Sequence, residues 1–267
     1  MTVTEQNKAL KIAIEASLKA GEAIMQVYNT EFDIELKEDQ SPLTIADKNA
    51  NDIINAFLKP TNIPIISEEN KQIDYNIRKS WSTCWIVDPV DGTKEFIKRN
   101  GEFTVNIALV DNGKPRLGVI YVPANKVLYF GDVGNKKAFK AQLVEHNTPY
   151  EQALKKGEPL SPKRKSSKIE VVGSRSHMND ETLAFVDKLK RQGEEVSIVS
   201  KGSSLKFCLV AEGGADIYPR FAPTMEWDTA AGQAICNAVG VKVISKETEK
   251  PLVYNKENLL NPWFVVS

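Results

Sequence analysis

Two aspartates of this sequence stand where an apolar run stops and a turn begins. Asp88 and Asp91 follow the run Cys-Trp-Ile-Val at 84–87, and Gly92 and Thr93 come directly after them. Such carboxylates, beside the backbone amides of a helix that we predict to start just beyond them, could hold Mg²⁺ and a phosphate at one point. The alternative is a plain Asp-Pro-x-Asp-Gly turn, which needs no ligand.

Three more carboxylates occupy similar positions, and each also has a structural explanation. Glu68 follows the apolar run at 62–67 and could be an exposed strand end. Asp228 precedes a predicted helix and could be its N-cap. Asp47 follows Thr44 at the spacing of a capping box. Each explanation suffices alone, but the recurrence of acids at so many element ends favours one shared site.

Two known acidic motifs differ from this one in their spacing. An EF-hand loop has acids at every second position, whereas Asp88 and Asp91 are three residues apart. A phosphatase of the haloacid dehalogenase type has its nucleophile near the N-terminus, in D-x-D-G-T, and continues in βαβ units. Here one extra residue separates the two acids and a meander follows them, so the sequence disfavours both motifs.

The elements that must carry these side chains are indicated by the spacing of apolar residues. Near the N-terminus, apolar residues recur every three to four positions. Short continuous apolar runs follow, and from residue 103 the apolar residues recur at every second position. We predict two helices, two buried strands and an antiparallel meander with a turn at Asn112-Gly113. Pro60 ends the second helix. In order, the predicted elements are helices at 10–24 and 46–58, strands at 62–69 and 83–87, and a meander over 103–131.

Residues 146–167 lose this periodicity and gain proline, serine and lysine, which indicates an exposed connection. We therefore predict two halves, 1–145 with most of the acids and 168–267 with Asp228. The second half alternates strands and helices, so the predicted fold class is α/β or α+β, layered, with a mixed sheet. Its predicted strands lie at 169–173, 195–200 and 215–220, and its predicted helices at 179–192, at 204–214 and from about 228 to 240.

The overall charge disfavours some classes of partner. Thirty-five basic and 35 acidic residues give a formal net charge of +0, so no long-range field attracts nucleic acid or an anionic membrane. The three cysteines form no paired motif, as expected for reduced thiols. No signal peptide or membrane-spanning run is predicted. We expect a cytoplasmic protein without an integral membrane segment. Peripheral association with the inner face of the membrane stays open, as does the choice between monomer and homodimer.

The acidic motif belongs to a longer pattern. It reads Trp85-x-x-Asp88-Pro89-Val90-Asp91-Gly92-Thr93-x-x-Phe96, with Glu68-Glu69 before it and Trp227-Asp228-x-Ala230-Ala231-Gly232 late in the chain. This set resembles the inositol monophosphatase superfamily of Mg²⁺-dependent, lithium-sensitive phosphatases, and the likeness spans nearly the whole chain. The resemblance implies a layered α/β/α/β sandwich of the inositol monophosphatase and fructose-1,6-bisphosphatase type, with mixed and antiparallel sheets.

The resemblance also implies metal ligands, for two to three Mg²⁺ ions in each active site. Glu68, Asp88 and the carbonyl of Val90 would bind one ion. Asp88, Asp91 and Asp228 would bind a second, and Glu68 would touch a third, looser one. Neighbouring divalent ions can polarise a phosphoryl group and stabilise the leaving oxygen of an in-line displacement.

Two further residues receive catalytic roles from the resemblance. Thr93 and Asp47 would orient and deprotonate the attacking water, so no covalent enzyme intermediate is required. The substrate phosphate would lie against residues that the metal motif already includes, namely Glu68, Val90, Asp91, Gly92, Thr93 and Asp228.

Polar residues outside the metal motif bear on the choice of substrate. They stand after predicted strands or at a predicted helix start, and they are Ser174, Arg175, His177, Ser203, Lys206, Tyr218 and Arg220. Such a set suits a substrate with a second phosphate and a base on which to stack. The alternatives are that Arg175 and Lys206 are solvated surface charges and that His177 caps a helix.

The run 202–232 is similar to the bacterial 3′(2′),5′-bisphosphate nucleotidases, which clear the adenosine 3′,5′-bisphosphate left over from sulfate assimilation. This resemblance implies hydrolysis of the 3′-phosphate of that nucleotide, giving AMP and phosphate. An inositol monophosphatase is the alternative within the family. A non-catalytic regulatory or RNA-associated protein on the same fold is the alternative of another class, although the neutral charge and the complete set of acids argue against it.

Overall fold

The structure is a computed structural model that describes residues 2–36, 42–162, 168–174 and 179–267. It begins with the long helix α1 (Val3–Tyr28), followed by a small antiparallel hairpin of β1 (Ile34–Leu36) and β2 (Pro42–Thr44) and by α2 (Ile45–Leu58). Both predicted helices are confirmed. The hairpin was not predicted, because its strands have only three residues each. In the parts of the chain that the structure describes, no helix combines the length and the apolarity needed to cross a membrane.

A sheet of seven strands in chain order forms the centre of the molecule. Its strands are β3 (Ile65–Ser67), β4 (Thr83–Asp91), β5 (Thr104–Asp111), β6 (Lys114–Val122), β7 (Val127–Asp132), β8 (Lys137–Gln142) and β9 (Gly157–Pro159). The first two strands are parallel and the others antiparallel, so the predicted mixed sheet and the predicted meander are confirmed. Two short helices, α3 (Tyr75–Arg78) and α4 (Thr93–Ile97), follow β3 and β4.

The two faces of this sheet bury different side chains, as the period of two requires. On β5, Val105, Ile107 and Leu109 join a core that includes α1 and α2. Ala108 and Val110, at the alternate positions, join a second core on the opposite face. The sheet therefore separates two apolar layers.

The segment predicted as an exposed connection is partly structured, which corrects that expectation. A helix α5 (Tyr150–Lys155) buries Ala153, and β9 adds to the edge of the large sheet beside β8. Elements of six and three residues are too short to produce a periodic signal. The large sheet thus continues past residue 145, while the division of the chain into two halves stays a prediction.

The remaining chain builds the layers beyond the second core. Its elements are β10 (Ile169–Ser174), α6 (Asp180–Arg191), β11 (Val196–Lys201), α7 (Leu205–Ala211), β12 (Tyr218–Arg220), α8 (Glu226–Ala238), β13 (Val243–Ser245) and β14 (Phe264–Val266). β10 and β11 form a parallel pair, and β12, β14 and β13 form an antiparallel sheet in that order. The predicted strands and helices of this half are confirmed, whereas β13 and β14 were not predicted.

Helices α7 and α8 lie between the large sheet and the smaller strands, since residues of all three layers share one core. Gly118 of β6 permits this contact, because a Cβ at that position would lie 2.8 Å from the Cβ of Ala234 in α8. From one side to the other, the layers are α1 with α2, the large sheet, α7 with α8, and the smaller strands. The predicted α/β/α/β layering is confirmed.

Candidate active site

The acidic motif lies at the end of β4, where the strand is bulged. Its pairing with β5 is regular up to Asp88 and resumes only at Asp91. In a regular strand, residues three positions apart point to opposite faces, but here both aspartates line one cavity because of the bulge. Within the bulge, the Val90 amide donates a hydrogen bond to Asp88 Oδ1 at 3.0 Å.

Gly92 turns the chain from β4 into α4. Its φ is +92°, in the left-handed region that favours glycine. A Cβ there would lie 3.2 Å from the carbonyl oxygen of Glu102 and 3.2 Å from the Cβ of Ser203. The helix start predicted here is confirmed. However, the amides of Glu95 and Phe96 donate to the Gly92 carbonyl, at 2.8 and 2.9 Å, and so are used within α4.

Asp228 joins Asp88 and Asp91 in a compact group of carboxylates. One oxygen from each residue lies within 4.8 Å of the others. The pKa of Asp228 is raised to about 8, first by burial and then by the charges of Asp91 and Glu68. Asp228 does not precede α8 as an N-cap, since it is the third residue of that helix and its Oδ2 accepts from the Met225 amide at 2.7 Å. Oxygen donors that repel one another in this way fit a hard divalent cation such as Mg²⁺.

Glu68 reaches the same cavity from β3. Its amide donates to the Val87 carbonyl at 3.1 Å, which continues the parallel pairing of β3 with β4. Because the strands are parallel, their carboxyl ends meet at one edge of the sheet, and Glu68 lies beside Asp88 there. The alternative of an exposed strand end is wrong, since Glu68 is half-buried. It is not, however, one of the three carboxylates that form the compact group.

Asp47 has both of the contacts that the sequence suggested for it. Its Oδ2 accepts from the Thr44 amide at 2.8 Å and from the Thr44 hydroxyl at 2.7 Å, so the capping box is confirmed. Its Oδ1 accepts from the Thr93 hydroxyl at 3.3 Å. The same hydroxyl lies 3.2 Å from the Val90 carbonyl oxygen, a second acceptor for its single proton. Asp47 is 2% exposed, so its charge is shielded from bulk water.

Hydroxyl and amide groups, most of them from residues that were not predicted to be in the site, hold Asp91 in place. Its Oδ2 accepts from Ser203 Oγ at 2.7 Å, from the Ser204 amide at 2.6 Å and from Asn106 Nδ2 at 3.3 Å. Thr104 Oγ1 lies 2.6 Å from Ser203 Oγ and 2.8 Å from Ser204 Oγ. Ser203 was a predicted site residue, but the others were not. Asp91 and Ser203 are 112 positions apart, so no local pattern signals their contact.

Lys206, Tyr218 and Arg220 also line the cavity. Lys206 is buried, its Nζ donates to the Ser203 carbonyl, and burial lowers its pKa to about 8. The alternative of a solvated surface charge at Lys206 is therefore wrong. The same Nζ lies 5.5 Å from the centroid of the Tyr218 ring. Arg220 Nη2 donates to the Pro223 carbonyl at 2.8 Å, while its buried Nε has no hydrogen-bond partner in the described part of the chain.

The cavity has a volume of about 420 Å³. The sequence-predicted site residues that line it are Glu68, Asp88, Val90, Asp91, Gly92, Thr93, Ser203, Lys206, Tyr218, Arg220 and Asp228. Asp47 adjoins it through Thr93. Lining residues that were not predicted include Gly202, Ser204, Thr224 and Leu260. Arg175, His177 and the side chain of Ser174 lie outside the described residues.

Comparison with known proteins shows similarity over nearly the whole chain. The model of the inositol monophosphatase family matches residues 5–262. The chain is 46% identical over 264 residues to the 3′(2′),5′-bisphosphate nucleotidase CysQ of Salmonella typhimurium. The aligned residues cover 97% of this chain and 99% of that protein. It is also 46% identical over 254 residues to the protein of the same name from Escherichia coli K12, with coverage of 93% and 95%.

Solved structures show the same relationship. CysQ from Bacteroides thetaiotaomicron, described as a bacterial member of the inositol monophosphatase family, superimposes with a TM-score of 0.87 at 50% identity, over 97% of each chain. An inositol monophosphatase from Thermotoga maritima gives a TM-score of 0.73 at 23% identity, over 97% of this chain and 92% of that one, and it supports the fold alone. The fold type expected from the resemblance is thereby confirmed.

Proposed function

This chain belongs to the inositol monophosphatase family, and from that premise we propose that it hydrolyses the 3′-phosphate of adenosine 3′,5′-bisphosphate to give AMP and phosphate. Relatives that are 46% identical over nearly their full length bear the name 3′(2′),5′-bisphosphate nucleotidase. The observation that carries the proposal is the single cavity that joins the carboxylate group to Lys206, Tyr218 and Arg220. An enzyme with this activity acts in sulfur metabolism.

The metal part of the proposal rests on the chemistry of the oxygen donors. Asp88, Asp91 and Asp228 would hold one Mg²⁺, and Glu68 with the Val90 carbonyl would complete the set for two to three ions. Bound Mg²⁺ supplies charge that polarises the phosphoryl group, lowers the pKa of water and stabilises the leaving oxygen. The pKa of Asp228, raised first by burial and then by the charges of Asp91 and Glu68, supports this assignment, because a bound cation would stabilise the ionised carboxylate.

The proton of the attacking water would pass towards Asp47 by way of Thr93. The Asp47 oxygen that faces Thr93 makes the 3.3 Å contact, while the Thr44 amide and hydroxyl hold the other oxygen. The capping contacts thus fix the orientation of the proposed base. When Asp47 accepts the proton of the Thr93 hydroxyl, the Thr93 oxygen can accept one from water in turn.

Recognition of the 5′-phosphate is assigned to Arg220 and Lys206. Their side chains bring positive charge to a wall of the cavity whose other charged groups are mostly carboxylates, so an anion with two phosphates could bridge metal ions and cations. Tyr218, Ser203, Ser174 and His177 complete the proposed substrate-binding set.

The test is phosphate release from adenosine 3′,5′-bisphosphate with Mg²⁺, with and without EDTA, followed by identification of the nucleoside product. We expect AMP, and we expect release to stop when EDTA removes the metal. The Asp88→Asn variant should abolish turnover while the protein stays folded, since removal of one charge relieves repulsion in the metal-free group. Adenosine 3′-phosphate as the product, or near-normal turnover of Asp88→Asn at saturating Mg²⁺, would contradict the proposal.

A further inference from the structure

We propose that a hydrogen-bonded polar cluster, formed by the buried residues Asn51, Asn55 and Ser67 and the half-buried Asn70, positions Glu68 for metal binding relative to Asp47. This inference rests on the proposed function, because the roles of both carboxylates are assigned there. The four residues lie outside the described cavity lining and have no role in the chemistry set out above. They are therefore positioning residues, acting through Glu68.

The cluster begins on α2, the helix that carries Asp47. Asn51 and Asn55 follow Asp47 at intervals of four residues, so all three side chains lie on one face of the helix. Asp47 is 2% exposed, and Asn51 and Asn55 are each 7% exposed. Amides are rarely buried on the face of a helix unless hydrogen bonds satisfy them, because an unpaired buried amide costs free energy.

Those hydrogen bonds lead to the segment that contains Glu68. Asn70 Oδ1 accepts from Asn51 Nδ2 at 2.9 Å and from Asn55 Nδ2 at 3.1 Å. Asn70 Nδ2 in turn donates to Asn55 Oδ1 at 3.2 Å. Ser67 Oγ donates to Asn51 Oδ1 at 2.8 Å. The two asparagines of α2 thus bind side chains on both sides of Glu68.

The backbone around Glu68 forms a turn that these contacts hold at each end. The Asn70 amide donates to the Ser67 carbonyl at 3.2 Å, which closes the turn over Glu68 and Glu69. The Glu68 amide donates to the Val87 carbonyl at 3.1 Å, directly before Asp88 in the sequence. Glu68 is therefore fixed to β4 by its backbone and to α2 by its neighbours.

The cluster sets the position of the turn that carries Glu68 relative to α2, the helix that carries Asp47. Apolar contacts would allow α2 and the turn to slide, whereas directional hydrogen bonds between the side-chain amides favour one relative position. Groups that orient metal ligands typically change metal affinity about 10- to 100-fold when they are removed. We therefore expect loss of the cluster to weaken Mg²⁺ binding more than it weakens folding.

The test uses substrate-free protein and titration calorimetry with MgCl₂. Asn70→Ala removes the amide that bridges both asparagines, and Ser67→Ala removes only one hydroxyl, so the second variant serves if the first does not fold. The matched control is Ile54→Val, a buried apolar change on the same helix with no part in the cluster. Melting temperatures of all variants measure the purely structural cost.

We expect the Mg²⁺ dissociation constant to rise about tenfold or more in Asn70→Ala, and less in Ser67→Ala, while Ile54→Val binds like the wild type at a similar loss of melting temperature. Wild-type dissociation constants in both cluster variants would overturn the inference and leave the cluster as a structural feature alone. Wild-type protein that releases no phosphate from adenosine 3′,5′-bisphosphate would instead contradict the proposed function.

Discussion

Asp47 shows how one side chain can serve both a helix and a reaction. One oxygen caps α2 through Thr44, and the other faces the Thr93 hydroxyl. A carboxylate near a helix N-terminus is also favoured by the helix dipole, so the cap stabilises the charged form that a general base needs. The two contacts use different oxygens and do not compete.

The Asp47→Asn change separates these roles. It keeps the shape of the side chain but removes the base, so we expect kcat to fall about 10²- to 10⁴-fold. The loss of stability should be at most about 1 kcal/mol, or roughly 2 to 4 °C in melting temperature for a chain of this length. Glu5→Gln, which alters the capping box of α1, is the matched control and should leave kcat unchanged. A lower melting temperature with undiminished kcat would leave Asp47 as a cap alone.

Arg220 gives a second prediction about a single side chain. Removing a charge-assisted contact to the 5′-phosphate should cost about 1.5 to 3 kcal/mol, so Arg220→Ala should lower kcat/KM for adenosine 3′,5′-bisphosphate roughly 10- to 100-fold. Adenosine 3′-phosphate, which lacks the 5′-phosphate, should be hydrolysed almost as by the wild type. The control is Arg191→Ala, at the exposed end of α6. Equal losses on both substrates would contradict this recognition role.

The position of α8 depends on a buried ion pair at its first residue. Glu226 is fully buried and accepts from Lys256 Nζ at 2.5 Å, from the Lys256 amide at 3.0 Å and from the Asn255 amide at 2.6 Å. Asn261 Nδ2 also donates to the Met225 carbonyl at 2.8 Å. The segment before β14 thereby holds the helix start that carries Asp228.

Lys256→Met should therefore destabilise the protein strongly. It leaves a buried carboxylate with two backbone donors but without its cation, and we expect a loss of about 2 to 3 kcal/mol of unfolding free energy in urea. Lys11→Met removes the lysine of the exposed pair with Glu151 and should change stability little. Similar losses of unfolding free energy in the two variants would contradict this prediction, because the buried pair of Glu226 and Lys256 would then contribute no more to stability than the exposed pair.

The contact between β6 and the segment after β8 predicts a dependence of stability on pH. The Tyr121 hydroxyl lies 2.7 Å from His146 Nδ1, and burial, followed by the charge of Lys126, lowers the pKa of His146, with Glu22 opposing them. The folded state then binds fewer protons than the unfolded state just below the ordinary histidine pKa of about 6.5. Stability contributed at this site is therefore complete above that pH and is lost as the pH falls through the lowered folded pKa.

We expect the melting temperature of the wild type to fall more than that of His146→Gln when the pH is lowered from about 7.5 to about 5.5. Carboxylates titrate in both proteins, so only the difference between the two curves reports on His146. Parallel curves would contradict the predicted role of this histidine.

Much of the fold could be predicted from local sequence patterns, whereas contacts between residues distant in the sequence could not. The order of the longer elements and the acids at strand ends were predictable, because periodicity and motif spacing are local properties, whereas several elements of three to six residues were not. The contacts of Ser204 and Asn106 with Asp91 were not, since they join distant positions through tertiary packing. The burial of Lys206 could not be predicted for the same reason, because the environment of a lysine at a helix start is set only when the chain folds and the cavity wall forms.

The layered fold places the carboxylate group, from the large sheet and α8, beside cationic residues of α7 and β12. That juxtaposition suits the proposed substrate, which has two phosphates, better than an inositol monophosphate, which has one. It also argues against a non-catalytic protein on the same fold, because the groups needed for binding and for chemistry share one cavity.

The most direct measurement compares kcat/KM for adenosine 3′,5′-bisphosphate and for inositol 1-phosphate with the same wild-type protein in Mg²⁺. A contact between the 5′-phosphate and a cationic side chain, absent with inositol 1-phosphate, should favour the nucleotide by about tenfold or more. Equal values, or a higher value for inositol 1-phosphate, would contradict the account.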